Sequence, residues 1–171
     1  MKNKKGFLLG EETLKIIIAV ICIGILIYFL AALYLSSSDE RKEDEARSFL
    51  IDSPESLEVV IARVWKNPIG YFEEKHMPTP KGWNLFSFFS NSVQPNVCAG
   101  ENCLCICDEI NLVSIYRFVE DDSERQANRC DEKGVCLITS ELGGKKINIE
   151  INSESWVVVE KGDNFVEVRK K

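Results

Sequence analysis

The hydrophobic and polar positions divide the chain into an apolar segment near the N-terminus and a longer part of mixed polarity. Residues 16–35, IIIAVICIGILIYFLAALYL, are twenty consecutive positions without a charge. Twenty helical residues span about 30 Å, which is the thickness of the hydrocarbon core of a bilayer. A helix on the surface of a soluble domain would carry a polar stripe, which this segment lacks. The pattern predicts a transmembrane helix.

The apolar segment is followed by a short, highly charged one. Residues 39–47, DERKEDEAR, carry charges of both signs at nearly every position, as is typical of a solvated helix. We expect the apolar helix to continue outward through this segment to about Leu50. A break at residues 36–38, three consecutive serines, is the alternative.

A second helix is predicted directly after this charged stalk. Ser53, Pro54 and Glu55 form a typical helix start, with Ser53 as the capping residue. Asn67-Pro68 ends the helix. Apolar residues at helical spacing form one face, which we expect to pack on a sheet: Leu57, Val60, Ile61, Val64 and Trp65.

The rest of the chain favours strands. Residues 68–95 are rich in loop signals but contain one strand-like segment, and residues 120–128 are predicted to be a polar loop. The strand-like segments are residues 83–89, 103–107, 112–118, 135–139, 146–151, 156–160 and 164–169. The last three predict an antiparallel meander within a sheet of about five to seven strands. The fold class is therefore predicted to be α+β.

Charge indicates how the predicted membrane helix is oriented. The whole chain has 21 Lys and Arg against 27 Asp and Glu, a net charge of −6, which argues against a nucleic-acid partner. Four lysines, Lys2, Lys4, Lys5 and Lys15, lie at or before the start of the apolar segment. Positive flanks stay on the cytoplasmic side, so we expect residues 36–171 to lie outside the cell.

The residues before the apolar segment carry a more specific signal. Gly6 follows two lysines, Phe7 opens an apolar stretch, and Glu11 and Glu12 place two acids at the membrane entrance. This start resembles that of type IV prepilins, including the archaeal class III signal peptides. The resemblance covers about residues 4–35. It implies an archaeal source and cleavage between Gly6 and Phe7 by a prepilin-type peptidase on the cytoplasmic side.

The resemblance also implies a role for Glu11. It would be the fifth residue of the processed chain, where the family carries an acid that pairs with the amine of a neighbouring subunit. A carboxylate among helices in lipid is costly unless it is paired. The chain departs from the family at Glu12, a second acid, and at Lys15, which can pair with Glu11 within one helix. A plain signal anchor is therefore the alternative.

Seven cysteines divide between the two parts of the chain. Cys22 lies in the apolar segment, where it is a small apolar residue. The other six are predicted to form three disulfides, because their number is even and the predicted compartment is oxidising. They are Cys98, Cys103, Cys105, Cys107, Cys130 and Cys136.

The spacing of these cysteines narrows the fifteen possible pairings. In CLCIC, Cys103, Cys105 and Cys107 alternate with Leu104 and Ile106, so a strand would place the three cysteines on one face. Each of the three is then expected to bond a cysteine outside the strand. A bend over residues 99–102 makes Cys98–Cys103 a rival pairing.

The sequence contains no pattern that indicates a metal, a cofactor or a catalytic site. The C-x4-C-x-C-x-C spacing matches no zinc or iron–sulfur motif, and His76 is the only histidine. We therefore expect no metal site, no cofactor and no small-molecule substrate, and we expect the protein not to be an enzyme.

Taken together, these features predict four segments: a basic leader, residues 1–6; a transmembrane helix, residues 7–35; a charged stalk, residues 36–52; and an extracellular α+β domain, residues 53–171. The predicted function is that of a membrane-anchored, type IV pilin-like subunit of a filament for adhesion or surface display. Its partners would be membrane lipid, other pilin-like subunits and the peptidase. The alternative is an anchored protein that does not assemble and whose outer domain binds a ligand or partner.

Overall fold

The computed structural model of the chain describes residues 5–108 and 122–171. The chain divides into two compact units, one ending at Glu40 and the other comprising Arg41–Lys171. The first unit is helical in its described part. The second contains helices, strands and three disulfides. The α+β class predicted from the sequence is confirmed.

The N-terminal helix is longer than its apolar segment. Helix α1 spans Lys5–Arg47 and is followed by a π-helical turn, Ser48–Asp52. It continues through residues 36–38, so the predicted alternative of a break at the serines is wrong. Ala46 and Leu50 are fully buried. The last residues of the predicted stalk therefore belong to the core of the second unit.

Helix α2, Leu57–Trp65, follows after a turn. Its N-cap is Ser56, whose Oγ accepts a hydrogen bond from the Val59 amide at 3.4 Å. The predicted cap, Ser53, instead accepts from the Glu55 amide at 3.2 Å, within the preceding turn. A serine three positions later thus takes the capping role, because the chain turns once before the helix starts. The predicted apolar face is confirmed: Leu57, Val60, Ile61 and Val64 are buried, and Trp65 is partly buried against the core.

Apart from a short 3₁₀ turn, the rest of the part of the chain that the structure describes forms eight strands and one helix. In chain order they are β1 Phe72–His76, β2 Trp83–Phe88, β3 Cys103–Asp108, α3 Asp122–Glu132, β4 Gly134–Ile138, β5 Leu142–Gly143, β6 Asn148–Glu150, β7 Trp156–Lys161 and β8 Val166–Lys170. They form two four-stranded sheets, with strand orders β1-β7-β8-β5 and β4-β3-β2-β6. The β5–β8 pair is parallel and the other pairs are antiparallel.

The predicted meander is only half right. The hairpin of β7 and β8 is confirmed, but β6 pairs with β2 in the other sheet, with Ile149 opposite Leu85. The turn between β6 and β7 explains the change of sheet. Ser155 Oγ donates to the Glu150 carbonyl at 2.8 Å and accepts from the Asn152 amide at 3.0 Å. These bonds satisfy the backbone where the chain leaves the sheet.

Three further predictions concern segments whose hydrophobic pattern is weak. Strand β1 lies in the stretch that was predicted to be mostly loop. Residues 120–128 were predicted to be a polar loop, but the described part from Asp122 is helix α3, which runs to Glu132. Both elements are polar and depend on tertiary partners, namely strand β7 for β1 and a disulfide for α3. The predicted strand at 112–118 lies outside the described residues.

The main core combines side chains of both sheets with α2 and the end of α1. Strands β2, β3, β4 and β6 contribute alternate residues to it: Trp83, Leu85, Leu104, Ile106, Val135, Leu137 and Ile149. The other sheet contributes Val157, Val159, Val166 and Val168. Because side chains alternate along a strand, the intervening residues of β2–β4 lie on the opposite face.

That opposite face is a second, smaller core, which we call the cysteine core. It contains Phe86 and Phe88 of β2, Ala127 of α3, and the six cysteines outside α1. Helix α3 thus covers the face of the sheet that points away from the main core. A short 3₁₀ turn, Asn96–Cys98, carries the first of these cysteines.

Gly134 lies against the cysteine core with no room for a side chain, and this gives a first prediction. A Cβ at Gly134 would lie 2.7 Å from the Cys130 carbonyl oxygen and 2.8 Å from the Cys107 Cβ. We expect Gly134→Ala to lower the free energy of unfolding by about 1–3 kcal/mol, because backbone and a cross-linked side chain would have to shift. Urea denaturation followed by tryptophan fluorescence measures this change. The exposed Ser140→Ala is the control, and an equal effect of the two substitutions would contradict the prediction.

Candidate functional site

The apolar surface of α1 is the most extensive candidate for function. The large apolar side chains between Leu14 and Tyr34 are each 52–76% exposed. Within the residues that the structure describes, this is the one helix long and apolar enough to cross a membrane, judged by length and composition. An exposed apolar surface of this extent is typical of helices that contact lipid or other apolar helices.

The residues of the predicted processing and assembly site lie in the first turns of this helix. Gly6, Phe7 and Glu11 all fall within Lys5–Arg47. The described side chains begin at Thr13, so the pairing predicted for Glu11 lies outside them. The helical backbone does place Glu11 and Lys15 one turn apart, which is the spacing of an intrahelical ion pair.

The structure pairs all six cysteines that follow α1, as the strand pattern predicts. The bridges are Cys98–Cys103, Cys105–Cys136 and Cys107–Cys130. Each bridge therefore joins one cysteine of β3 to a cysteine outside it. Cys105 and Cys136 are directly opposite in the register of β3 and β4. Cys98–Cys103, considered as a rival pairing, is one of the three bridges.

Three of these sulfurs lie close enough together to resemble a metal site. The Sγ atoms of Cys98, Cys103 and Cys105 all lie within 4.8 Å of one another. Each of them is bonded to another sulfur in a bridge. Because thiolates, not disulfide sulfurs, are the usual metal ligands, the cluster in this form is a structural one.

Helix α3 is held against the cysteine core by polar contacts as well as by its bridge. Gln126 Nε2 donates to the Asp108 carbonyl at 3.1 Å and lies 3.4 Å from the Cys107 sulfur. Arg129 donates to the Asp108 carboxylate at 2.8 Å. This hydrogen bond raises the pKa of the Arg129 guanidinium, so the guanidinium stays charged at any ordinary pH.

Asp131 in the same helix fixes the turn that carries Cys98. Its carboxylate accepts hydrogen bonds from the Asn96 and Val97 amides at 2.8 and 3.1 Å. It thus satisfies the free amides at the start of the 3₁₀ turn. The sequence shows acids in this segment, but only the fold shows that one of them acts as a cap for a turn 35 residues earlier.

A shallow groove between α2 and the end of β4 has a volume of about 350 Å³. Three carboxylates line it: Glu58, Glu101 and Glu141. They come from α2, the turn before β3 and the turn after β4. Because these segments are far apart in sequence, the sequence alone does not predict that the three carboxylates line one groove. Apolar side chains of Ile61 and Leu137 also line the groove.

A polar network connects β1 to α2. The Glu73 carboxylate accepts from Arg63 at 2.9 Å and from the Tyr71 hydroxyl at 3.1 Å, and the second bond raises the pKa of the Tyr71 phenol. Lys75 donates to the Glu55 carbonyl, and partial burial lowers the pKa of its ammonium group. These contacts fix the side chains on one face of β1.

These features describe an anchor-like helix and a disulfide-bonded domain. Comparison with models of known protein families, with curated proteins and with solved structures finds no match for this chain.

Proposed function

We propose that the chain is a single-pass membrane protein whose outer domain is displayed at the cell surface by a type IV pilin-like helix. The observation that carries the proposal is the apolar helix, whose large side chains between Leu14 and Tyr34 are exposed on all sides. Such a surface is unstable in water and stable in lipid or among like helices.

The orientation that we propose has the N-terminus in the cytoplasm. Lysines precede the apolar segment, while acids predominate beyond it: residues 36–171 have 17 Lys and Arg against 25 Asp and Glu, a net charge of −8. The three disulfides support this orientation, because such bridges persist in oxidising compartments and are rare in the cytosol. Residues 36–171 are therefore assigned to the cell exterior.

The pilin-like part of the proposal rests on the leader. A prepilin-type peptidase would cut between Gly6 and Phe7, and Glu11 would pair with the amine of Phe7 in a neighbouring subunit. The processed helices would then pack together in a filament used for adhesion or surface display. The role is non-enzymatic, and the partners are membrane lipid and other pilin-like subunits.

A second candidate function has a specific observation in its favour. Lys15 lies four residues after Glu11 in a continuous helix, so the acid can be neutralised within one chain. In that case no neighbouring subunit is needed. The protein would be an anchored domain that remains unassembled and binds a ligand or partner outside the cell.

The mass of the N-terminal peptide, measured on protein from native membranes, separates the two candidates. We expect the mature chain to begin at Phe7. Gly6→Val is expected to abolish cleavage, whereas Gly10→Val, four residues further on, is expected to leave it intact. A wild-type chain that begins at Met1 or Lys2 would refute the pilin-like proposal and leave the anchored domain.

Assembly is tested by a matched pair of acid substitutions. Glu11→Ala is expected to prevent incorporation into filaments while all three disulfides still form, and Glu12→Ala is expected to assemble. The readout is the pilin content of sheared filament fractions. Equal incorporation of the two variants would show that Glu11 does not set the contact between subunits.

A further inference from the structure

Within residues 5–108 and 122–171, strand β1 is an edge strand whose outer side pairs with no other strand. It pairs with β7 on one side only, at the end of the strand order β1-β7-β8-β5. On that side the Met77 amide donates to the Ser155 carbonyl at 2.9 Å, and the Lys161 amide donates to the Tyr71 carbonyl at 2.8 Å. The odd-numbered residues of β1 therefore bond β7.

Because the direction of backbone groups alternates along a strand, the even-numbered residues present their amides and carbonyls to the free side. These residues are Phe72, Glu74 and His76, and all three are exposed. An unpaired edge of this kind is a template for another strand.

The side chains of β1 are complementary to those of a second copy in antiparallel orientation. If the two FEEKH strands pair so that Glu74 faces Glu74, then Glu73 of each copy lies opposite Lys75 of the other. Opposite charges in facing positions stabilise a pair of strands. In this register the two facing Glu74 residues exchange backbone hydrogen bonds. This agrees with the geometry of β1, in which the amide and carbonyl of Glu74 point to the free side.

The one like-charge contact in this register is already compensated. Glu74 faces Glu74 of the second copy, but the Lys171 Nζ lies 2.6 Å from the Glu74 carboxylate in each chain. Phe72, which is 56% exposed, lies opposite His76 of the second copy. The His76 ring is itself stacked on Trp156, with ring centroids 4.7 Å apart. Phe72 thus gains an aromatic surface on which to pack.

We infer that β1 pairs with β1 of a second copy of this chain, antiparallel and about a two-fold axis at Glu74, so that two four-stranded sheets become one sheet of eight strands. This contact is closed, because each copy uses the same strand for the other. It is therefore distinct from the filament contact of the proposed function and does not depend on it.

Disulfide cross-linking of the full-length protein in detergent micelles tests the register. In a Cys22→Ser background, Glu74→Cys places two cysteines opposite each other, with Cα atoms about 5.5 Å apart, within the range of a disulfide. Mild oxidation is expected to give covalent dimers. Glu160→Cys, on the neighbouring strand β7, is the matched control and is expected to stay monomeric.

The result that would overturn the inference is a Glu74→Cys variant that stays monomeric, or one that cross-links no better than Glu160→Cys. The second outcome would assign any dimer to another part of the chain, such as the apolar helix. Tryptic mapping of the three native bridges confirms that each variant is folded.

Charge exchange tests the same pairing without a new cysteine. Lys75→Glu places a glutamate opposite Glu73 of the other copy at two symmetric positions. It is expected to raise the dimer dissociation constant about tenfold, as measured by analytical ultracentrifugation. The double variant Glu73→Lys with Lys75→Glu restores opposite charges across the axis and is expected to dimerise more tightly than Lys75→Glu, although Glu73→Lys also removes the Arg63 contact within the chain. A double variant that dimerises no better than Lys75→Glu, while its bridges are intact, would refute the register.

Discussion

Replacing Cys105 and Cys136 by alanine is expected to lower the free energy of unfolding of residues 41–171 by about 3–4 kcal/mol. The bridge closes a loop with a sequence separation of 31 residues, and a cross-link of that length removes a large part of the entropy of the unfolded chain. Both cysteines lie in the cysteine core, where the bridge joins facing positions of β3 and β4. The loss is a large fraction of the stability of an ordinary domain.

The chain offers a matched control for this prediction. The Cys98–Cys103 bridge has a sequence separation of only 5 residues, so its removal is expected to cost about 2 kcal/mol. Urea denaturation of the full-length protein, followed by tryptophan fluorescence, compares the two double variants. Equal losses of unfolding free energy in the two double variants would contradict the dependence on loop length. The stabilisation would then be assigned to packing of the sulfur atoms alone.

Trp83→Ala is the second large effect that we expect, with a loss of about 3–5 kcal/mol in the free energy of unfolding. Trp83 is 1% exposed and begins β2 within the main core. Its backbone carbonyl accepts from the Ile151 amide at 2.8 Å, which ties β2 to the chain beyond β6. Loss of the indole would leave a cavity in the main core, and a close-packed core relaxes only partly around such a cavity.

Trp156→Ala is the matched control, because it removes the same side chain from the sheet surface. Trp156 is 40% exposed and packs beside His76. Its removal is expected to cost about 1 kcal/mol or less, from the partly buried area and the lost ring contact. The remaining tryptophans report unfolding in both variants. A Trp156→Ala protein as unstable as Trp83→Ala would contradict the assignment of Trp83 to the core.

The elements that were predictable from sequence are those with strong local patterns. The apolar run of 16–35 specifies a helix by itself, since its length and composition are unambiguous. The alternation of CLCIC places the three cysteines of β3 on one face and predicts that each bonds a cysteine outside the strand, as all three bridges do. Likewise the spacing of Leu57, Val60, Ile61 and Val64 indicates which face of α2 is buried.

The elements that were missed are polar and short. Helix α3 buries only Ala127 and Cys130 among the described residues that pack in the cysteine core, so its sequence offers few apolar residues that would indicate a helix. It is stabilised by contacts with residues far away in sequence. Cys130 is bonded to Cys107, Arg129 donates to Asp108, and Asp131 accepts from the Asn96 amide. Strand β1 has a charged sequence that is unfavourable for an isolated strand and depends on pairing with β7.

Local pattern therefore established that this chain has a long apolar helix, a disulfide-bonded part after it and an α+β composition, because each of these depends on residues near one another in sequence. The assignment of β6 to the second sheet, the pairing partner of each cysteine and the open edge of β1 were decided by tertiary structure. They depend on which distant strands and turns meet. A periodic pattern specifies the face that a residue occupies but not the strand that lies beside it.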